Sequence, residues 1–242
     1  NDIIVRPVAD DVTLQVKQRE IMDEDSSKKL GIRTQSSDKD GSETFNVKID
    51  GIPAGSKIKF DNHTFDTTDS TTFTDTTGKH TLIDNGDGTF SLKLTGLPEG
   101  KIEPEFYPAK DMNTNGNDIE LKVTAQAVDK ITITGGANAG DYENEGNITY
   151  PPQTIHISVL GVPDAPVLEI TDGQVWIENN IDQHNGGINN ASTSAKPNVV
   201  DISNFITEFK SGETSNDGSE TLTLRVTGLP NGFDLVDAAG GS

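Results

Sequence analysis

Apolar residues recur at every second position over several stretches of the chain. Phe45, Val47 and Ile49 alternate with Thr44, Asn46, Lys48 and Asp50. Phe90, Leu92 and Leu94 repeat the pattern, as do Ile119, Leu121, Val123 and Ala125. Ile155, Ile157 and Val159 form a further run, and Leu222, Leu224 and Val226 another. Successive side chains of a strand point to opposite faces, so each run predicts a strand with one face on a core and the other in water. Turn-forming clusters lie between the runs: Asp50-Gly51-Ile52-Pro53, Asp84-Asn85-Gly86-Asp87-Gly88, Thr114-Asn115-Gly116-Asn117 and Gly135-Gly136. A helical period is absent, with at most one helical turn expected in Val199–Lys210. Short strands divided by turn signals predict an all-β chain of antiparallel β-sandwiches.

The pattern also repeats on a larger scale. Asp40-Gly41-Ser42-Glu43-Thr44, an alternating strand, and then Gly51-Ile52-Pro53-Ala54-Gly55 return as Asp217-Gly218-Ser219-Glu220-Thr221, a second alternating strand, and Gly228-Leu229-Pro230-Asn231-Gly232. The offset is 177 residues, from 40 to 217. Val8-Ala9-Asp10-Asp11 and Val162-Pro163-Asp164-Ala165 form a second pair at an offset of 154. The difference places an insertion in the second copy, in the Asn- and Gly-rich stretch around Asn179–Pro197. A weaker echo, Thr89–Gly100, again ends in Gly-Leu-Pro-x-Gly. These repeats predict that residues 1–8 are the last strand of a preceding domain. Residues 9–163 then form a complete sandwich, and 164–242 the first strands of another. The chain opens on Asn1-Asp2 with no basic-then-apolar leader and reads as a piece of a longer protein.

Asp-Gly-Ser-Glu-Thr followed by an alternating strand and Gly-Ile/Leu-Pro-x-Gly resembles the cadherin-like (Ig-like) tandem repeats of giant bacterial RTX-type adhesins exported by type I secretion. Met22-Asp23-Glu24-Asp25-Ser26 is similar to the Glu-Asp-Thr/Ser that opens such repeats. Asn85-Gly86-Asp87-Gly88-Thr89-Phe90 resembles their central strand start, and Gly116–Ala125 their Gly-Asp-Phe-x-Leu-x-Val-x-Ala strand. Ile155–Pro166 resembles their closing strand and Val-x-Asp-Ala-Pro linker. The sequence departs from that pattern at Asp11-Val12, in the Thr- and Asp-rich Thr64–Thr81, and in the long Gln174–Val199. The resemblance implies an extracellular, string-like chain with calcium ions at or near its domain junctions. It also implies that host or surface glycans or proteins are engaged by other modules.

The residues themselves offer the matching chemistry. Calcium takes six to eight oxygens, which closely spaced Asp, Asn, Glu and Gly can supply. One candidate set is Asp10, Asp11, Asp23, Glu24, Asp25, Asp38, Asp40 and Glu43, expected at one junction. Asp164, Glu178, Asp182, Asp217 and Glu220 form its counterpart at the next. The alternative is that these residues are turn formers on a solvated rim. A separate candidate, Asp111, Asn113, Asn115 and Asp118, matches the opening of an EF-hand loop. Lys122 stands where the closing bidentate Glu belongs, so Asp118 or Glu120 would have to substitute. A plain Asn-Gly hairpin loop is the alternative there. Asp84–Gly88 reads first as a turn.

Composition narrows the partners. Thirty-nine acidic against 19 basic side chains give a net charge of −20. Such a surface repels phosphate backbones and anionic lipid and attracts cations, so nucleic acid is not an expected partner, and with no run of about 18 apolar residues direct membrane insertion is not expected. With no cysteine there is no disulfide, thiolate metal site or cysteine nucleophile. The histidines His63, His80, His156 and His184 lack metal spacing and read as solvated loop residues. No nucleophile elbow, metalloprotease helix or phosphate loop occurs, so an enzyme is not expected. Thr64–Thr81 reads as a solvated hairpin extension and Trp176 as core or junction packing. The preferred role is a structural segment of a long extracellular adhesin or surface fibre, joined to adjacent repeats of the same chain and stiffened by calcium. The alternatives are a module binding sugar or peptide, and a self-assembling subunit completed by a donated strand.

Overall fold

A computed structural model describes residues 6–37, 41–68, 72–135, 139–149, 151–170, 206–212 and 221–228. The chain divides into two compact units, Asn1–Val162 and Pro163–Ser242. Every regular element among the described residues is a strand. The N-terminal unit is a two-layered β-sandwich.

One layer of that sandwich is an eight-stranded sheet. Its strands are β2 (Arg19–Asp23), β5 (Glu43–Pro53), β8 (Phe73–Thr74), β9 (His80–Asp84), β10 (Thr89–Leu97), β13 (Ile119–Ile133), β14 (Gly140–Glu145) and β15 (Gln153–Leu160). The order runs β2-β15-β13-β5-β10-β9-β8, with β14 paired to the far half of β13. The other layer consists of two small sheets. One is β1 (Val12–Val16), β4 (Ile32–Ser36) and β11 (Gly100–Ile102) in the order β1-β4-β11. The other joins β3 (Lys28–Lys29), β12 (Glu105–Tyr107), β6 (Lys57–Phe60) and β7 (His63–Asp66). All pairings are antiparallel except β2 on β15. The core lies between the layers. Phe45, Val47, Ile49, Leu92, Leu121 and Ile157 of the large sheet meet Ile32, Ile58, Phe65, Ile102 and Phe106 of the small ones and Leu30 between β3 and β4.

Four of the five alternating runs become the central strands β5, β10, β13 and β15, with their apolar residues inward, whereas the run Leu222, Leu224 and Val226 forms no strand and leaves Leu224 and Val226 exposed. Two of these strands lose the period near their ends. In β5 the buried series Phe45, Val47, Ile49 is followed by Ile52, three residues on. In β10 the series Phe90, Leu92, Leu94 is followed by Leu97. The β5–β10 ladder shifts register at both places. The residue before each displaced apolar side chain is a glycine at positive φ, Gly51 at 87° and Gly96 at 67°. Each is a β-bulge: one extra residue turns the next side chain back to the core, and glycine accepts the left-handed backbone. Gly228, the counterpart of Gly51 in the second copy, has φ 79°. In the first unit Gly-Ile/Leu-Pro is therefore a device that resets the inward face at a strand end.

In the second unit β16 (Val167–Ile170) pairs antiparallel with β17 (Ile206–Lys210). In the first unit β1 pairs with β4 in the same relation, first strand to the strand preceding Asp-Gly-Ser-Glu-Thr. The helical turn expected in Val199–Lys210 is not formed over its described part, which is β17. Ile206 and Phe209 serve a ladder to β16 there, and β-pairing overrides local preference. Residues 6–10 form no strand. Val8 N–H donates to Asp129 Oδ2 at 3.0 Å and Ala9 N–H to Asn144 Oδ1 at 2.8 Å, so the segment is held by side chains of β13 and β14.

Candidate functional site

The parallel pairing of β2 with β15 decides where the candidate oxygens lie. Asp23 sits opposite Leu160, and Ile157 opposite Ile119 at the start of β13. Glu43, in contrast, sits opposite Asp129. Ten residues of extended strand separate these two levels of β13, about 33 Å. Asp23, Glu24 and Asp25 therefore do not join Asp10, Asp11 and Glu43 at one junction, as their sequence proximity suggested. They belong to opposite ends of the sandwich.

At the end where the chain leaves the sandwich, β2 closes against β15. Glu24 N–H donates to Leu160 O at 2.9 Å, and the buried Glu24 carboxylate accepts the N–H of Val162. Asp25 turns the chain at φ 56°, and Asp23 and Asp25 are exposed. The loop 111–118 flanks β15 on its other side. Thr114 N–H donates to Val159 O at 3.0 Å, and its hydroxyl accepts Val159 N–H at 3.1 Å. Asp111 is buried at φ 54° with Lys110 at 3.2 Å. Both the oxygen and the nitrogen of the Asn113 side-chain amide are buried without a hydrogen-bond partner. Asn115 is exposed at φ 43°. Asp118 is committed elsewhere: Oδ1 accepts the Ser158 hydroxyl at 2.6 Å and Oδ2 the Arg19 guanidinium at 3.2 Å.

At the opposite end Asp10 N–H donates to Glu43 Oε1 at 2.7 Å, and Asp10 Oδ2 accepts the Ser37 hydroxyl at 3.1 Å. Glu43 Oε2 is buried with no hydrogen-bond partner, whereas Asp11 is exposed. Asp38, Asp40, Glu178, Asp182, Asp217 and Glu220 lie outside the described residues, as do His184 and Trp176. Asp164 lies beside Gly212 in the second unit. Among the described residues no three His, Asp or Glu side chains converge to hold a metal ion. What the two ends of the first unit offer is mixed: one or two carboxylates, backbone carbonyls and, at Asn113, an amide oxygen without a protein donor. That donor chemistry fits a hard, oxygen-seeking cation.

A cluster that sequence reasoning missed lies in the Thr-rich segment. His80 is 3% exposed and packs edge-on to Phe60 with ring centroids 5.4 Å apart. Its Nδ1 accepts Thr95 N–H at 3.2 Å, so His80 is no solvated loop residue. Asp75 is buried beside it, taking the Thr77 hydroxyl at 2.9 Å and Lys79 N–H at 3.0 Å. His63 Nδ1 stands 3.9 Å from Asp75 Oδ2, with His63 Nε2 on Thr76 Oγ1 at 3.2 Å. Burial holds His80 below the ordinary histidine range, against the pull of Asp75 and Asp61. Burial alone would raise Asp75, but its hydrogen bonds from Thr77, His80 and Lys79 hold it below the usual carboxylate range.

The sign of the resulting pH effect follows. Below the ordinary histidine pKa the unfolded chain takes up a proton that folded His80 resists, so stability falls as pH drops through about 6.5. Asp75 adds a second loss, as pH falls through the carboxylate range. The urea midpoint is expected to decline on acidification from neutral pH. His80→Gln, which keeps an acceptor for Thr95, should flatten the decline in the histidine range. Superimposable pH profiles for the two proteins would remove His80 from the account.

No family model matches this chain, and no curated protein matches it. Among solved structures, it is similar to a 35 kDa C-terminal fragment of the major pilin GBS80 of Streptococcus agalactiae, at 12% identity and a TM-score of 0.28. That alignment covers 69% of this chain and 58% of the fragment. It is also similar to AggA, the major subunit of aggregative adherence fimbriae type I from Escherichia coli, at 11% identity and a TM-score of 0.28. There 66% of this chain and 100% of AggA are covered. At these values neither likeness decides fold or function. Among the described residues no helix is long and apolar enough to cross a membrane.

Proposed function

We propose that the chain is a structural segment of a long extracellular surface fibre of adhesin type, in which tandem Ig-like units transmit load and calcium stiffens the ends of each unit. The observation that carries this reading is the duplicated unit, Asp-Gly-Ser-Glu-Thr to Gly-x-Pro-x-Gly, repeated at 177 residues in a chain of two compact units. A tandem array needs its chain entry and exit held firmly. Here Glu43 grips the entering segment at Asp10, and Glu24 grips the leaving segment at Val162. Calcium bound by Asn113 and neighbouring carbonyls at the exit end would give the buried Asn113 oxygen a partner. The role is mechanical, and the partners are adjacent repeats.

A ligand that binds only the folded state stabilises it by about 2.7 kcal/mol at 100 times its Kd. For a unit of this size about 2–4 °C accompany each kcal/mol. Saturating calcium is therefore expected to raise the melting midpoint by about 5–10 °C over the chelated protein. Asn113→Ala should abolish that shift without lowering the chelated midpoint, because the amide it removes has no partner to lose. Equal midpoints with calcium and with chelator would refute the calcium mechanism. Small-angle scattering that shows the same maximum dimension in both states would refute the stiffening.

A further inference from the structure

A chain of net charge −20 carries one groove of the opposite sign. An open groove of about 590 Å³ lies where β1, β3, β4 and β11 meet, and five of the 19 basic residues line it: Lys17, Lys28, Lys29, Arg33 and Lys101. Two carboxylates share it, Glu20 and Glu103, which leaves a local charge of +3. Glu20 is buried and takes Lys17 at 2.8 Å, with Lys28 at 3.7 Å. Glu103 takes Lys101 at 2.7 Å. Lys29 and Arg33 are exposed and make no ion pair within 4 Å among the described residues, although Lys29 sits opposite Glu105 on β12 and helps to hold the Glu103 and Glu105 carboxyls below their usual range.

The placement of Arg33 is costly for folding alone. It sits directly between Gln15 on β1 and Lys101 on β11, in register with both. Like charges directly opposite on neighbouring strands destabilise a sheet. In a chain with twice as many acids as bases, a neutralising acid at either position would be the easy solution. The lining also holds no aromatic residue, so a neutral sugar has no ring to stack on. What remains is recognition by charge and hydrogen bonds. Arg33 offers a fork matched to carboxylate or sulfate, and Lys29 and Lys101 add point charges on either side. Screening limits the reach of the remote acids to about 8 Å at physiological salt, so the groove is governed by its own cations.

We propose that this groove binds an acidic polysaccharide, a linear sugar chain bearing carboxylates or sulfates, along the Lys29–Arg33–Lys101 row. A stiff chain with regularly spaced anions loses less conformational freedom on binding than a disordered acidic peptide, and no aromatic residue lines the groove to anchor a peptide side chain. The site does not involve the candidate calcium oxygens, so its test is independent of the mechanical reading above.

The test uses the full chain with heparin and polygalacturonate as sulfated and carboxylated probes, in chelator and at low salt, by calorimetry. Salt-sensitive binding of at least one probe is expected. Arg33→Ala and Lys29→Ala should each weaken it roughly tenfold, as for loss of a charge-assisted hydrogen bond. Lys93→Ala and Lys122→Ala change the net charge equally on exposed faces elsewhere and should leave it within about twofold of wild type. The melting midpoint of Arg33→Ala should be unchanged or raised, since a like-charge pair is relieved. The proposal is overturned by no binding of either probe, by equal loss in the control variants, or by a lower midpoint in Arg33→Ala. Tighter binding of polyglutamate or single-stranded DNA than of both polysaccharides would overturn it as well.

Discussion

Gly51→Ala is expected to destabilise the N-terminal unit by about 3 kcal/mol, roughly twice the effect of Gly96→Ala. Both glycines sit at a bulge with positive φ, 87° and 67°. A β-carbon in that backbone region costs about 1–2 kcal/mol at either site. Their surroundings differ. A β-carbon on Gly96 meets nothing within 4 Å, whereas on Gly51 it would stand 2.5 Å from the carbonyl oxygen of Glu120. That oxygen belongs to β13, which pairs with β5 along eight residues at the centre of the large sheet. Backbone cannot swing aside as a flexible side chain would, so the two central strands must separate. Overpacking of this kind typically adds 1–3 kcal/mol. Urea unfolding of the two variants beside wild type measures the difference. Equal midpoints would mean that β5 and β13 do not approach so closely.

Phe65→Ala should cost about 3–5 kcal/mol, the usual range for emptying a buried phenylalanine site. The residue lies in Thr64–Thr81, which the sequence presents as a solvated extension. The structure differs at this point. Phe65 is fully buried opposite Ile58 on β6, with Phe73 packed edge-on at 6.1 Å. Strand β7 completes one small sheet, and β8 pairs with β9 at the edge of the large one, so the segment ties the two layers together. Phe73, itself 44% exposed, should cost only about 1 kcal/mol when cut to alanine. Denaturant midpoints read both effects, with an unchanged m-value showing that the unfolding unit stays the same. A near-neutral Phe65→Ala would restore the solvated-hairpin reading.

The candidate calcium residues show how far local reading reaches. Asp, Asn and Gly at short spacing identify oxygen donors and turns, and the loop 111–118 does form with Asn115 and Gly116 at positive φ. Spacing did not reveal that Asp118 is used by Ser158 and Arg19, or that Asn113 is buried without a partner. Those facts depend on β15, some forty residues further along, and on β2, 99 residues back. The basic groove was visible only in part. Lys17, Lys28, Lys29 and Arg33 fall within one short stretch, yet Lys101 joins them solely through the pairing of β11 with β4.

The chain's own pattern determined that it is all β, which residues face inward on β5, β10, β13 and β15, and that a unit is duplicated. These properties are local: side-chain alternation is built into the pleat, and a repeated motif needs no knowledge of its neighbours. It could not determine which ends of the strands meet. The parallel alignment of β2 with β15 carries Glu24 more than about 33 Å along the sheet from Glu43, although only nineteen residues separate them in sequence. Nor could it foresee that His80 and Phe65 are buried within a threonine-rich segment. Burial and strand partners are set by contacts between distant residues, whose joint free energy no single stretch contains. Tertiary structure alone decided them.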